Sequence, residues 1–151
     1  MVNTLILGVG NLLLTDDGVG IHVIRSLEQF AHLPDGVRVI DGGTLGLNLL
    51  GYLENNERLI IVDAMDTGVQ PGIITRLSGE QLPAYFSLKL SPHQVAIPDL
   101  LLAAQLIGCY PRKLIVLGIQ PGSTAVGLDL SPVVAGKVDQ LVAAVLNELN
   151  M

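Results

Sequence analysis

Along the chain, short runs that are apolar at nearly every position alternate with longer stretches whose apolar residues recur every three or four positions. That alternation predicts an α/β domain built on a mainly parallel sheet. Five runs read as strands: Thr4–Val9, Val37–Asp41, Leu59–Asp63, Ile73–Leu77 and Leu114–Ile119. The first, third and fifth are almost unbroken in apolar residues, as a sheet covered on both faces requires.

Helices fit between them. Gly18–Phe30 puts Val19, Val23, Ile24 and Leu27 on one face, with Arg25, Glu28 and Gln29 off it. Leu45–Leu53 is a short helix with Thr44 as N-cap, and Gln94–Ile107 is a third. Ser131–Leu149 is a fourth, with Ser131 as N-cap and Pro132 at the first helical position. The turn Thr67–Gly72 is too short for a helical crossover, so Ile73–Leu77 is expected to run antiparallel to Leu59–Asp63 at a sheet edge. Ser78–Ser91 has no clean period and reads as a loop with room for one helical turn. There is no internal repeat or linker, and 151 residues suit a single domain spanning 1–151.

Composition removes several function classes. The net charge is −6, with only eight Lys and Arg scattered along the chain, so the clustered basic footprint of a nucleic-acid binder is missing. No apolar run approaches the ~18–20 residues of a membrane span, and Met1–Leu5 lacks the basic start of a secretory signal. A cytoplasmic protein without membrane insertion is expected. The one cysteine, Cys109, excludes an internal disulfide and a Cys-rich zinc site, and its apolar surroundings read as core.

In open α/β sheets, ligands bind beyond the carboxyl ends of the parallel strands. Those ends collect Gly8-Val9-Gly10-Asn11 with Thr15-Asp16-Asp17-Gly18, then Asp41-Gly42-Gly43-Thr44, then Asp63-Ala64-Met65-Asp66. Ser91-Pro92-His93-Gln94 precedes the third helix, and Gly118-Ile119-Gln120-Pro121-Gly122 closes the fifth strand. Taken alone, Asp63 reads equally as a turn cap and as a ligand, and so does His93. Together with Asp17 they supply two carboxylates and an imidazole from three loops. That is an incomplete shell for a borderline transition metal, with positions left open. Asp16 reads as an acid supporting the ligands or as the N-cap of the first helix, the cap being favoured; Asp66 reads as a turn residue, and His22 and His32 as surface residues. No Gly-x-Ser-x-Gly elbow is present.

Two rivals fit less well. A dinucleotide fingerprint starting at Gly8-Val9-Gly10 would need its third glycine where Leu13 stands. A phospho-receiver module would place its acid pair directly at the strand end. Here six residues, Gly10 to Thr15, intervene before Asp16, and Gln120-Pro121 stand where a lysine belongs.

The run Leu7-Gly8-Val9-Gly10-Asn11-Leu12-Leu13-Leu14-Thr15-Asp16-Asp17-Gly18-Val19-Gly20 resembles the signature of the nickel–iron hydrogenase maturation endopeptidases. Asp41-Gly42-Gly43-Thr44, Leu59-Ile60-Ile61-Val62-Asp63-Ala64, Ser91-Pro92-His93-Gln94 and Gly118-Ile119-Gln120-Pro121 continue the likeness in order and at comparable spacing. The resemblance implies a three-layer α/β/α sandwich with a mixed, mostly parallel five-stranded sheet. It also implies a protease that removes a C-terminal extension from the hydrogenase large-subunit precursor once nickel is inserted. The family's metal-contacting and catalytic positions fall on Asp17, Asp63 and His93, with Asp41 a weaker acid–base candidate. Nickel would be supplied by the precursor. A nickel-dependent escort module that binds the large subunit without cutting it is the non-enzymatic alternative.

Overall fold

The strand β1 (Thr4–Val9) is buried at all six positions. β3 (Arg58–Ala64) and β5 (Lys113–Ile119) are buried everywhere except their first residue. Only a sheet sandwiched between two helical layers can cover such strands. β2 (Val37–Gly43) and β4 (Ile74–Ser78) are partly exposed and close the edges, giving the order β2-β1-β3-β5-β4. The first four strands are parallel, and β4 pairs antiparallel with β5. The computed structural model describes the backbone of residues 3–30, 32–43, 46–87 and 92–150; it leaves undescribed the side chains of 30, 46, 86–87 and 92–96.

Because side chains alternate across a strand, each central strand feeds two cores. Leu5, Leu7, Leu59, Ile61, Leu114 and Val116 face one side. They pack against α2 (Leu50–Leu53), α3 (Leu82–Ser87) and α4 (Pro92–Ile107) through Leu53, Tyr85, Leu100 and Ala104. Ile6, Ile60, Val62, Ile115 and Leu117 face the other. Opposite them lie α1 (Val19–Phe30), α5 (Pro132–Ala135) and α6 (Val138–Leu149), through Val23, Ile24, Leu27, Val134, Leu141 and Val145. The expected three-layer sandwich with a mixed five-stranded sheet is the observed fold. Among the described residues no helix is long and apolar enough to cross a membrane.

All five expected strands form. β4 is antiparallel and at an edge as expected, but its neighbour is β5 rather than β3. The 65–73 connection passes over the end of β5, tied there by Met65 N–H to the Ile119 carbonyl and Gly72 N–H to the Gln120 carbonyl, both at 2.9 Å. β4 is further held to α6, where Arg76 and the buried Glu148 form an ion pair; Arg58 donates to the Glu148 carbonyl at 3.0 Å.

Helix boundaries differ more. α4 begins two residues early, at Pro92, which gives up no hydrogen bond at the first helical position. The expected single helix over Ser131–Leu149 is interrupted at Gly136–Lys137, glycine being a poor helix former. Ser131 does sit at the N-cap position with Pro132 following, but its hydroxyl caps nothing and is used elsewhere. Ser78–Ser91 holds more structure than expected. A reciprocal Ser78/Gln81 capping box opens a 3-10 turn over Gly79–Gln81 that runs into α3. The Leu45–Leu53 helix is a 3-10 turn, Gly46–Leu49, followed by α2, and its expected cap Thr44 lies outside the described residues.

The first turn of α1 rests directly on strand backbone. A Cβ at Gly20 would stand 2.2 Å from the Val62 carbonyl oxygen, and one at Gly8 would stand 2.4 Å from the Gly20 oxygen. Gly20→Ala is therefore expected to destabilise the protein by about 1–3 kcal/mol, because backbone rather than a movable side chain must yield. Denaturant unfolding of the variant checks this, and an unchanged midpoint would refute the contact.

Candidate active site

The strand register brings the sequence-predicted acids to one edge of the sheet. Asp41 pairs across from Gly8, Gly8 from Val62, and Asp63 from Gly118. Asp41 is exposed at this edge, whereas Asp63 is 1% exposed at the end of β3.

Asp17 arrives by another route. After β1 the chain turns back on itself and forms a 3-10 turn, Thr15–Gly18, that lies against the strand end. Gly10 makes this possible: its φ is 128°, and a Cβ there would fall 1.8 Å from the Asp17 carbonyl oxygen. The Gly8-x-Gly10 pair thus serves close backbone approach, with no dinucleotide implied. Asp17 is 4% exposed, and its Oδ2 accepts the Asn11 N–H at 2.8 Å.

Asp16, next in the chain, does something different from the helix cap expected of it. Its Oδ2 accepts from Gly122 N–H at 2.7 Å, Ser123 N–H at 2.9 Å and the Ser131 hydroxyl at 2.7 Å. Its Oδ1 accepts the Ser131 N–H at 2.8 Å. Burial raises its pKa, but the Ser131 hydroxyl and the amides of Ser123, Ser131 and Gly122 outweigh that and hold the carboxyl below its ordinary range. The carboxylate therefore staples the loop after β5 to the turn that carries Asp17. Thr15 reinforces the junction: its hydroxyl donates to the Ala125 carbonyl, and its N–H donates to Gly127 at 3.0 Å.

Tyr85 of α3, fully buried, donates its hydroxyl to Asp63 Oδ2 at 2.9 Å. Burial raises the phenol pKa well above 10.0. The Asp63 charge, the hydrogen bond to it and the Asp17 charge push the same way, so the group stays a donor. Of the two acids, Asp63 is the one hydrogen-bonded to this hydroxyl. Gln120 organises the rim, accepting from Thr67 N–H at 2.8 Å and donating to Asp66 Oδ1 at 3.0 Å. Asp66 also accepts the Gly68 N–H, the turn role expected for it.

His93 lies in the first turn of α4, but its side chain is outside the described residues, as is Ser91. Among the described residues, no three His, Cys, Asp or Glu side chains gather in ligating geometry. Asp17 and Asp63 are brought together; the third expected donor is not part of that description. His32 is exposed as expected, but His22 is half-buried, with Nε2 lacking a hydrogen-bond partner among the described residues. Cys109 is half-buried against the apolar core.

The model of the family HycI, hydrogenase maturation protease, matches residues 21–148. The hydrogenase 2 maturation protease of Escherichia coli is 41% identical over 96% of this chain and 89% of its own length. The chain belongs to the hydrogenase maturation protease family. A second relative, the hydrogenase expression/formation protein HupD of Rhodobacter capsulatus, is 39% identical over 96% of this chain and 70% of its own. Among solved structures, the hydrogenase maturating endopeptidase HybD from Escherichia coli superposes with a TM-score of 0.92 at 40% identity. That match covers 98% of this chain and 92% of the other. The nickel–iron hydrogenase maturation protease HybD from Thermococcus kodakarensis gives 0.81 at 28% identity, covering 96% and 97%.

For this maturation protease, sequence reasoning missed Tyr85 and misassigned Asp16. The signal for α3 was present as Ser78-x-x-Gln81, the capping-box spacing that starts a helix. Nothing local announces the Asp16 staple, whose partners stand 106–115 positions away.

Asp16→Ala is expected to cost about 2–3 kcal/mol, since it strips a charged acceptor from several donors at once. The folded pKa lies below 3.8, so the contribution is complete above that pH and is lost as pH falls through the folded value. Thermal melts of both proteins across pH should show a gap that narrows only in strong acid. A gap independent of pH would contradict the charged staple.

Proposed function

We propose that this chain is the endopeptidase that trims the C-terminal extension of a nickel–iron hydrogenase large-subunit precursor after nickel loading. What supports this reading is that Asp17 and Asp63 are both nine-tenths or more buried, Asp63 at the carboxyl end of β3 and Asp17 in the 15–18 turn that packs against that strand.

In this reading Asp17, Asp63 and His93 contact the nickel that the precursor holds. Two carboxylate oxygens and an imidazole nitrogen suit a borderline divalent ion. Recognition of the ion docks the precursor, so the scissile bond is presented only when the hydrogenase is loaded. Binding energy from a remote group is thereby used for orientation at the reacting carbonyl. Hydrolysis then needs either a carboxylate to take the proton of water and pass it to the leaving amine, for which Asp17 and Asp63 are the candidates and Asp41 a weaker third, or polarisation of the carbonyl by the precursor's metal. The reading places the enzyme with its precursor in the cytoplasm, as one catalytic domain.

His93→Ala tests it. Purified variant mixed with nickel-loaded precursor should leave the precursor's intact mass unchanged, whereas the wild-type protein removes a C-terminal fragment. Normal trimming by the variant would sink the nickel-contact role. A wild-type protein that forms a complex but leaves the mass unchanged would support escort in place of cleavage.

A further inference from the structure

Tyr85 is an uncharged side chain in contact with the buried Asp63, and the trimming reaction described above does not use it. Its phenol is fully buried, sits on α3 rather than on the strand-end loops, and reaches across to Asp63 Oδ2 at 2.9 Å. A buried tyrosine hydroxyl needs a polar partner, but a main-chain carbonyl would serve equally well. Here the partner is a carboxylate at the end of the central strand. A hydrogen bond from a neutral donor to a carboxylate is strong and directional, and it fixes which way the carboxylate plane is turned.

We propose that Tyr85 is a positioning residue: its hydroxyl holds the Asp63 carboxylate in one orientation, with Oδ2 engaged, so that Asp63 meets the substrate's metal in a fixed, one-oxygen geometry. This deepens the nickel-recognition reading and rests on it. The same bond ties α3 to β3. With the hydroxyl gone, the carboxylate regains rotational freedom, and ordering it falls to the ligand.

The test separates positioning from packing by using two substitutions. Tyr85→Phe removes the hydroxyl and keeps the ring. Tyr85→Leu removes both and leaves a cavity, so it is expected to melt well below Tyr85→Phe. Nickel(II) affinity of each purified protein is measured by titration calorimetry well below its melting temperature, and trimming of nickel-loaded precursor is followed in parallel. Both variants are expected to show the same loss, about tenfold, in nickel affinity and in trimming kcat/KM, despite their different melting temperatures. If the isolated wild-type protein takes up no nickel, the trimming loss alone carries the comparison.

Tyr85→Phe with wild-type nickel affinity and wild-type trimming would overturn the proposal. So would a loss that grows with destabilisation, small in Tyr85→Phe and large in Tyr85→Leu. His93→Ala, run alongside, keeps the two ideas apart. If it abolishes trimming while Tyr85→Phe trims at the wild-type rate, nickel recognition stands and the Tyr85 latch falls. If it trims normally, the recognition reading itself has failed.

Discussion

The architecture of the site depends on backbone packed against backbone where β1 ends. Gly8, Gly10 and Gly20 let three chain segments come closer than any side chain allows, with clearances for an added Cβ of 2.4, 1.8 and 2.2 Å. The first turn of α1 therefore sits on β1 and β3 without an intervening layer, and the 15–18 turn folds over the strand end. The turn carrying Asp17 is thereby laid against β3, the strand that ends in Asp63 and Ala64. The two acids are 46 positions apart in sequence.

Adjacent acids then take opposite parts. Asp16 turns inward and spends its charge on four donors from the loop after β5, a structural use that a carboxylate performs better than any neutral side chain. Asp17 turns toward the strand edge, supported by Asn11 N–H. One turn of 3-10 helix thus separates scaffold from chemistry. The loop it pins exposes Val126 and Leu128, at 89% and 68%.

Much of this was legible in the sequence because it rests on local periodicity. Continuous apolar runs gave β1, β3 and β5 within a residue or so, and Asp17 and Asp63 stood out as acids at strand ends. What escaped reading was set by contacts distant in the chain. The place of β4 beside β5 depends on how the 65–73 connection crosses the sheet. The duty of Asp16 depends on residues more than a hundred positions later. Tyr85 lies in a segment too short for a helical period to emerge, so its helix is signalled only by the capping residues ahead of it. Pattern reports burial; it does not report which buried polar groups find each other.

The insertion of β5 between β3 and β4 bears on how a nascent chain must behave. Consecutive strands joined by a turn most often pair with one another, yet here β3 and β4 must stay apart until residues 113–119 emerge and fill the gap. Until then β3 offers an unpaired, mostly apolar strand edge and β4 has no strand partner, the condition in which chains join edge to edge. A ribosome stalled between α4 and β5 would hold the protein at its most adhesive stage, with α1 and β2 already able to dock and the sheet still split in two.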